Sequence, residues 1–272
     1  MDRRHFIGMG GAAALFGASA AEAAAAVSER SGRALSDFGV IANGEADQTT
    51  AMQKAVDALV EAGQPILVPA GRYRVAGVQL PSKATLVGTS GLSVIAAPPG
   101  RAAFECVGKQ GVSLRGLSFV NQGLIARECR NLTVADCEVL SSDGDGLYCG
   151  GSGLLVTGNR AASCAKAGIW VEGDGLVTNN LIGGNGRFGL RIGSAWRLGT
   201  VTVIANSIDG PAVGIGVSSA EQGYAMIAMN MIAGAKEGGI RALDGDTLIG
   251  KDLTRGGSEA FRNLAIAANV SM

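Results

Sequence analysis

The chain has 272 residues with 23 basic and 23 acidic side chains, so its formal charge is zero and nothing in it suggests nucleic acid as a partner. Forty-three glycines, 47% hydrophobic residues and 4% aromatics argue against a disordered charged tail and suit strands joined by tight turns around a core of small residues. The single histidine, His5, lies at the extreme N-terminus, which argues against a zinc site in the body of the chain.

Asp2-Arg3-Arg4-His5-Phe6-Ile7-Gly8 resembles a twin-arginine export signal and runs into a Gly/Ala-rich stretch with Ala-x-Ala sites up to Ala26. The stretch is too short and glycine-rich for a strong membrane span. Residues 1–26 therefore read as an address to the periplasm or beyond, and 27–272 as one domain. Next, Met52, Ala55, Val56, Leu59 and Val60 recur at helical spacing, which predicts a helix over about 48–62. Asp47 is placed to cap its start and Gly63 to end it. Two short strands, Ile66-Leu67-Val68 and Leu86-Val87, follow.

From there one phrase recurs: a glycine, an aliphatic residue, a variable residue, then a small or aliphatic one. It appears as Gly123-Leu124-Ile125-Ala126, Gly146-Leu147-Tyr148-Cys149, Gly168-Ile169-Trp170-Val171, Gly189-Leu190-Arg191-Ile192, Gly214-Ile215-Gly216-Val217 and Gly239-Ile240-Arg241-Ala242. The glycines are 23, 22, 21, 25 and 25 residues apart. A unit of that length cannot bury its own apolar side and must stack on its neighbours. Because it carries strand residues and no helical stripe, the fold class is all-β, a right-handed parallel β-helix of roughly 7–8 coils with an N-terminal capping helix.

A second column keeps the same register. Short apolar strands end at Asn159, Asn180, Asn206, Asn230 and Asn269, with Leu117 and Cys137 in the asparagine's place earlier. Stacked asparagines at one bend can bond along the stack, so their role is structural. Five cysteines are an odd number for an oxidising compartment. Cys106 and Cys149 fall at inward positions, Cys137 in the asparagine column and Cys164 in a turn, all as small packing residues. Cys129, between Arg127, Glu128 and Arg130, reads as exposed. Spacing assigns no disulfide. The interval from Asn230 to Asn269 predicts an excursion at roughly 244–262, after which the last coil is left as an uncapped edge suited to self-association.

Over residues 36–90 the helix, Val68-Pro69-Ala70-Gly71-Arg72-Tyr73 and Leu86-Val87-Gly88 resemble the opening of the pectate-lyase superfamily. With the leader and the repeats, the whole chain is similar to the twin-arginine-translocated β-helix repeat family. The resemblance implies a fold and a destination but no reaction. Glycosidases and uronate epimerases of the superfamily use a histidine, which this chain lacks after its leader. Lyases of the superfamily hold calcium with carboxylates and take the proton with a basic residue. That makes calcium the cofactor to consider, although no motif here fixes its ligands or the base.

Strand side chains alternate, so the second and fourth residues of each phrase point inward and the third outward. The outward column reads Glu105, Ile125, Tyr148, Trp170, Arg191, Gly216, Arg241, spanning roughly 19 Å from Tyr148 to Arg241 at the spacing of neighbouring strands. Glu172 and Arg127 belong to the next outward column. Aromatic rings receive sugar faces and arginine grips a carboxylate at two points. Tyr148, Trp170, Glu172, Arg191 and Arg241 are therefore candidate substrate-binding residues for a polysaccharide, in particular an anionic one. A sheet face covered by a loop or simply solvated would carry the same residues.

Asp143 and Asp145 in Ser142-Asp143-Gly144-Asp145-Gly146 are the candidate catalytic residues. Two residues apart on extended backbone, they approach the carboxylate separations used for glycosidic cleavage, roughly 5–9.5 Å. Asp-Gly sequences are equally ordinary turn chemistry. Two functional classes thus stand: a polysaccharide lyase or hydrolase, and a non-catalytic binding or envelope protein. A groove open past Asp143 would favour the first, and a loop over Trp170 and Arg191 the second.

Overall fold

Every glycine-led phrase is a strand, and its second and fourth residues face the inside of a tube. Leu124 and Ala126, Leu147 and Cys149, Ile169 and Val171, Leu190 and Ile192, Ile215 and Val217, Ile240 and Ala242 are all 0% exposed. Each fully buried aliphatic side chain of this kind stabilises the fold by roughly 1.5–3 kcal/mol, so the repeat is also the core. The computed structural model describes residues 33–272, and the segment read as an export signal, 1–26, lies outside them. Residues 34–272 form one unit, a right-handed parallel β-helix of about eight coils.

Three columns of parallel strands make up the coils. The phrase column runs from Val78–Gln79 through Phe104–Val107, Leu124–Arg130, Phe188–Ile192 and Val213–Ser218 to Gly238–Asp244. The second column starts at Ile66–Leu67 and finishes at Leu264–Ala267, and the third starts at Gly71–Arg74 and finishes at Val270–Ser271. Leu147–Thr157 and Ala167–Thr178 pass without a break from the phrase column into the second. At that corner Gly151 pairs with Gly173, φ 140° and 135°, and a Cβ on Gly173 would strike the Gly151 carbonyl. Only glycine allows both the left-handed corner and the close stacking.

The asparagine column is a buried ladder. Asn159 Oδ1 accepts the Cys137 N–H at 3.0 Å, and each later asparagine accepts the backbone and side-chain N–H of the one before it at 2.9–3.0 Å, through to Asn269. Residues just before these positions, such as Asn179, Ala205 and Met229, have φ of 53–56°. The side-chain amide satisfies backbone groups that this bend leaves unpaired inside the wall.

Helix α1, Thr49–Glu61, closes the N-terminal end of the tube with Met52, Ala55, Val56 and Leu59. Asp47 Oδ1 accepts the Thr49 N–H at 2.7 Å, and Gly63 (φ 67°) turns the chain away. Gln53 binds both backbone groups of Gln79 at 2.7–2.9 Å, so the helix also covers the first edge of the phrase column.

One expectation needs correction. Cys129 is buried, 1% exposed, because the chain curls back after Glu128 (φ 54°) and turns the sulfur into the tube. In the last coil Leu264–Ala267 and Val270–Ser271 pair only with the coil before them, as expected of an edge, whereas the phrase column ends in a hairpin. Gly238–Asp244 folds back antiparallel onto Thr247–Ile249, while the Asp252 carboxylate takes the N–H groups of Gly239 and Ile240 at 2.9 and 3.2 Å.

Candidate functional site

The outward column forms in the predicted register: Gln79, Glu105, Ile125, Tyr148, Trp170, Arg191, Gly216 and Arg241 pair in that order from coil to coil. Tyr148 and Trp170 meet edge to face, ring centroids 4.7 Å apart at 79°. The Tyr148 hydroxyl donates to Glu172 Oε2 at 2.6 Å. Burial and this carboxylate push the phenol well above its ordinary pKa, so it remains a proton donor. Arg127, exposed, lies 5.5 Å from the Tyr148 ring centre. It makes no ion pair with an acidic side chain among the described residues.

Asp145 stands beside this group. Its turn is held from within: Ser142 Oγ donates to the Asp145 carbonyl at 2.8 Å and accepts the Gly144 N–H. Asp145 Oδ1 accepts the Ala167 N–H at 3.0 Å, which leaves its second oxygen for other partners. Gln122, Ile125, Arg127, Asp145, Tyr148 and Trp170 line one open recess of about 240 Å³. Asp143 is exposed on the same turn but is not part of the recess lining.

The other end of the column is occupied by the chain itself. Leu243 and Leu248, paired across the hairpin, pack outside the tube with Phe188, Val213, Ala167 and Trp170. Arg191 stacks 4.2 Å over the Trp170 ring and pairs with Asp246 at the hairpin tip, Nη1 to Oδ1 2.6 Å. Arg241 donates to the carbonyls of Glu237 at 2.6 Å and Gly250 at 3.0 Å. Trp170 Nε1 donates to the Gly193 carbonyl at 2.9 Å, which leaves the ring half-buried. The structure thus brings Asp145, Tyr148, Trp170 and Glu172 together, and ties Arg191 and Arg241 to the hairpin.

Sequence reasoning missed the hairpin, Gln122 as a lining residue and the weight of Arg127. The hairpin did carry a signal, Leu243-Asp244-Gly245-Asp246-Thr247, a two-residue loop with glycine in first place (φ 59°). A larger trough of about 960 Å³ lies along Arg72, Arg74, Glu45 and Asp47, but no aromatic side chain lines it. Among the described residues, no cluster of three or more His, Cys, Asp or Glu is arranged to hold a metal ion. No helix there is long and apolar enough to cross a membrane.

Residues 32–241 match the family model described as rhamnogalacturonase A/epimerase, pectate lyase-like. The chain belongs to this family. Curated relatives align over half of this chain and a small share of their own length. Mannuronan C5-epimerase AlgE2 of Azotobacter vinelandii is 28% identical over 138 residues, covering 50% of this chain and 12% of the epimerase. Among solved structures, the tailspike of E. coli bacteriophage HK620, held in complex with a pentasaccharide, aligns with a TM-score of 0.65 at 14% identity. That alignment covers 91% of this chain and 51% of the tailspike. An iota-carrageenase from A. fortis aligns with a TM-score of 0.63 at 15% identity over 76% of this chain and 54% of its own. At such identities the structural likeness establishes the β-helix alone.

Proposed function

We propose that the protein engages an acidic polysaccharide at the recess of Asp145, Tyr148 and Trp170. In this reading the two rings pack against sugar faces, Arg127 grips a carboxylate, and Glu172 holds the Tyr148 hydroxyl in place. The observation that carries the reading is a guanidinium without an acidic partner, beside two half-buried aromatic rings and a carboxylate with a free oxygen. Membership of a family named for rhamnogalacturonase and epimerase activities supports a carbohydrate ligand. So does a relative that is a C5-epimerase of mannuronan.

As an enzyme it is a lyase or hydrolase in which Asp145 moves the proton and Asp143 is the second carboxylate of the same turn. Elimination would leave a C=C bond conjugated to the uronate carboxylate, visible by ultraviolet absorbance, whereas hydrolysis would release reducing ends. A panel of acidic polysaccharides, tested with the native chain, Trp170→Ala and Asp143→Asn/Asp145→Asn, decides the matter. Turnover lost in the double variant, together with binding lost in Trp170→Ala, supports the enzyme. Absence of binding to every polymer removes the reading for those sugars.

The hairpin over Trp170 and Arg191 favours a second reading, a non-catalytic binding protein. Its signature in the same assay is binding that depends on Trp170 without turnover. Export through the twin-arginine segment is part of the proposal. Replacing Arg3 and Arg4 by lysine and following the protein between cell fractions tests it.

A further inference from the structure

We infer that Cys106 and Cys129 form a disulfide that ties two adjacent coils together beneath Arg127. Their sulfurs lie 3.3 Å apart, and both side chains are sealed inside the tube at 0% and 1% exposure. The contact needs a local irregularity to exist. Cys106 pairs in register with Ala126, not with Cys129. After Ala126 the chain turns Arg127 outward and takes Glu128 through the left-handed region, and this brings Cys129 back alongside Cys106. On the other side of that segment the register with the following coil shifts between Cys149 and Gly151, the mark of a bulge. Cys129 Sγ also lies 3.5 Å from the Cys106 carbonyl oxygen and 3.4 Å from the Arg127 carbonyl oxygen.

A disulfide bond is about 2.05 Å long, so the sulfurs have only about 1.2 Å further to approach for the bond to close. Two of the remaining cysteines are engaged elsewhere. The thiols of Cys137 and Cys164 point to carbonyls two residues back in their own segments, at 3.3 and 3.7 Å.

The two thiols also differ in chemistry. The Cys106 S–H facing it, joined by the Lys109 and Arg127 backbone and the Lys109 charge, holds Cys129 below its ordinary value against the effect of burial. Cys106 is pushed up by the same hydrogen bond and by burial. Cys129 is therefore the attacking thiolate. With oxidised glutathione as co-reactant, the Cys129 thiolate attacks one glutathione sulfur and expels the other glutathione as a thiolate, which takes up a proton. Cys106, losing its proton to solvent, then attacks Cys129 Sγ and releases the second glutathione. Two protein electrons pass to the glutathione disulfide, and both glutathiones leave as thiols. Because the sulfurs are sealed in the folded tube, the exchange takes place once these two coils have paired and before the rest of the tube closes over them. The bond then locks the bulge that carries Arg127.

Reduced, unfolded chain refolded in a glutathione redox buffer, quenched with an alkylating agent and digested with trypsin without reduction provides the test. The cut sites make it unambiguous. Cys106 falls in peptide 102–109, Cys129 in 128–130, Cys137 and Cys149 together in 131–160, and Cys164 in 161–166. The expected product joins 102–109 to 128–130, with the other three cysteines alkylated. Five alkylated cysteines, or a bond from either residue to peptide 131–160, would overturn the inference. The native chain refolded under reducing conditions should unfold several degrees below the oxidised chain. Cys106→Ser/Cys129→Ser should show no such sensitivity, and a midpoint indifferent to reduction in the native chain would count equally against the bond.

Discussion

Tyr148 and Glu172 sit on neighbouring coils, and the phenol donates to the carboxylate at 2.6 Å in the middle of the outward column. Burial first, and then this carboxylate, raise the phenol above its ordinary value of 10.0. The unfolded chain therefore releases this proton at a lower pH than the folded one. Stability from this source is complete below pH 10 and falls as pH climbs from there toward the folded value. An alkaline absorbance titration should show Tyr148 ionising late alongside Tyr73, which burial also raises, and Tyr148→Phe should remove the Tyr148 share of that step. A variant that keeps the late step at full amplitude would assign it to other residues.

The asparagine ladder makes an unequal demand on its members. Asn206→Ala strips acceptors from the Asn180 backbone and side chain and leaves buried donors unpaired. It should cost roughly 2–4 kcal/mol, seen as a lower urea midpoint at unchanged slope. Asn269→Ala, in the last coil and only half-buried, should cost roughly 1 kcal/mol. Equal costs would mean that the ladder is not what holds this bend.

Gly216 is the one outward position without a side chain, and the hairpin is the reason. A Cβ there would stand 2.8 Å from Phe188 and 3.0 Å from Leu243. Gly216→Val should destabilise by roughly 1–3 kcal/mol and loosen the hairpin from the column. Trp170 fluorescence, read in a Trp196→Phe background because Trp196 is 85% exposed, should shift toward that of a solvated ring. An unchanged spectrum would show that the hairpin tolerates the added bulk.

Asp246 occupies Arg191 much as a sugar carboxylate would, yet Asp246 is 67% exposed while Arg191 is 13% exposed. The pair is therefore worth less than about 1 kcal/mol to the fold, and Asp246→Asn should leave the melting curve nearly unchanged. If the proposed ligand reaches Arg191, the same change should raise affinity for acidic oligosaccharides by roughly 3–10-fold, as measured by calorimetry. Unchanged affinity would confine the ligand to the Arg127 end.

Periodicity made most of the architecture legible. Helix α1 was anticipated at about 48–62 and spans Thr49–Glu61. The column from Glu105 to Arg241 pairs residue for residue as alternation requires. The candidate site was legible only as a column of residue types. Nothing in the local pattern distinguished Arg127, without an acidic partner, from Arg191, which Asp246 holds.

Interior and exterior were decided within each strand, because a period of two combined with a repeat near 23 residues admits only one way to bury the apolar side. The asparagine bends followed for the same reason: each residue's role repeats in the next coil. What breaks the repeat had to be read from packing in three dimensions. The hairpin lies back across Phe188 and Trp170 because those residues offer apolar surface outside the tube. Cys129 turns inward because the bulge after Ala126 reverses its side. Both depend on contacts between segments 20 to 80 residues apart, whose outcome rests on how the segments fit and not on the composition of either one.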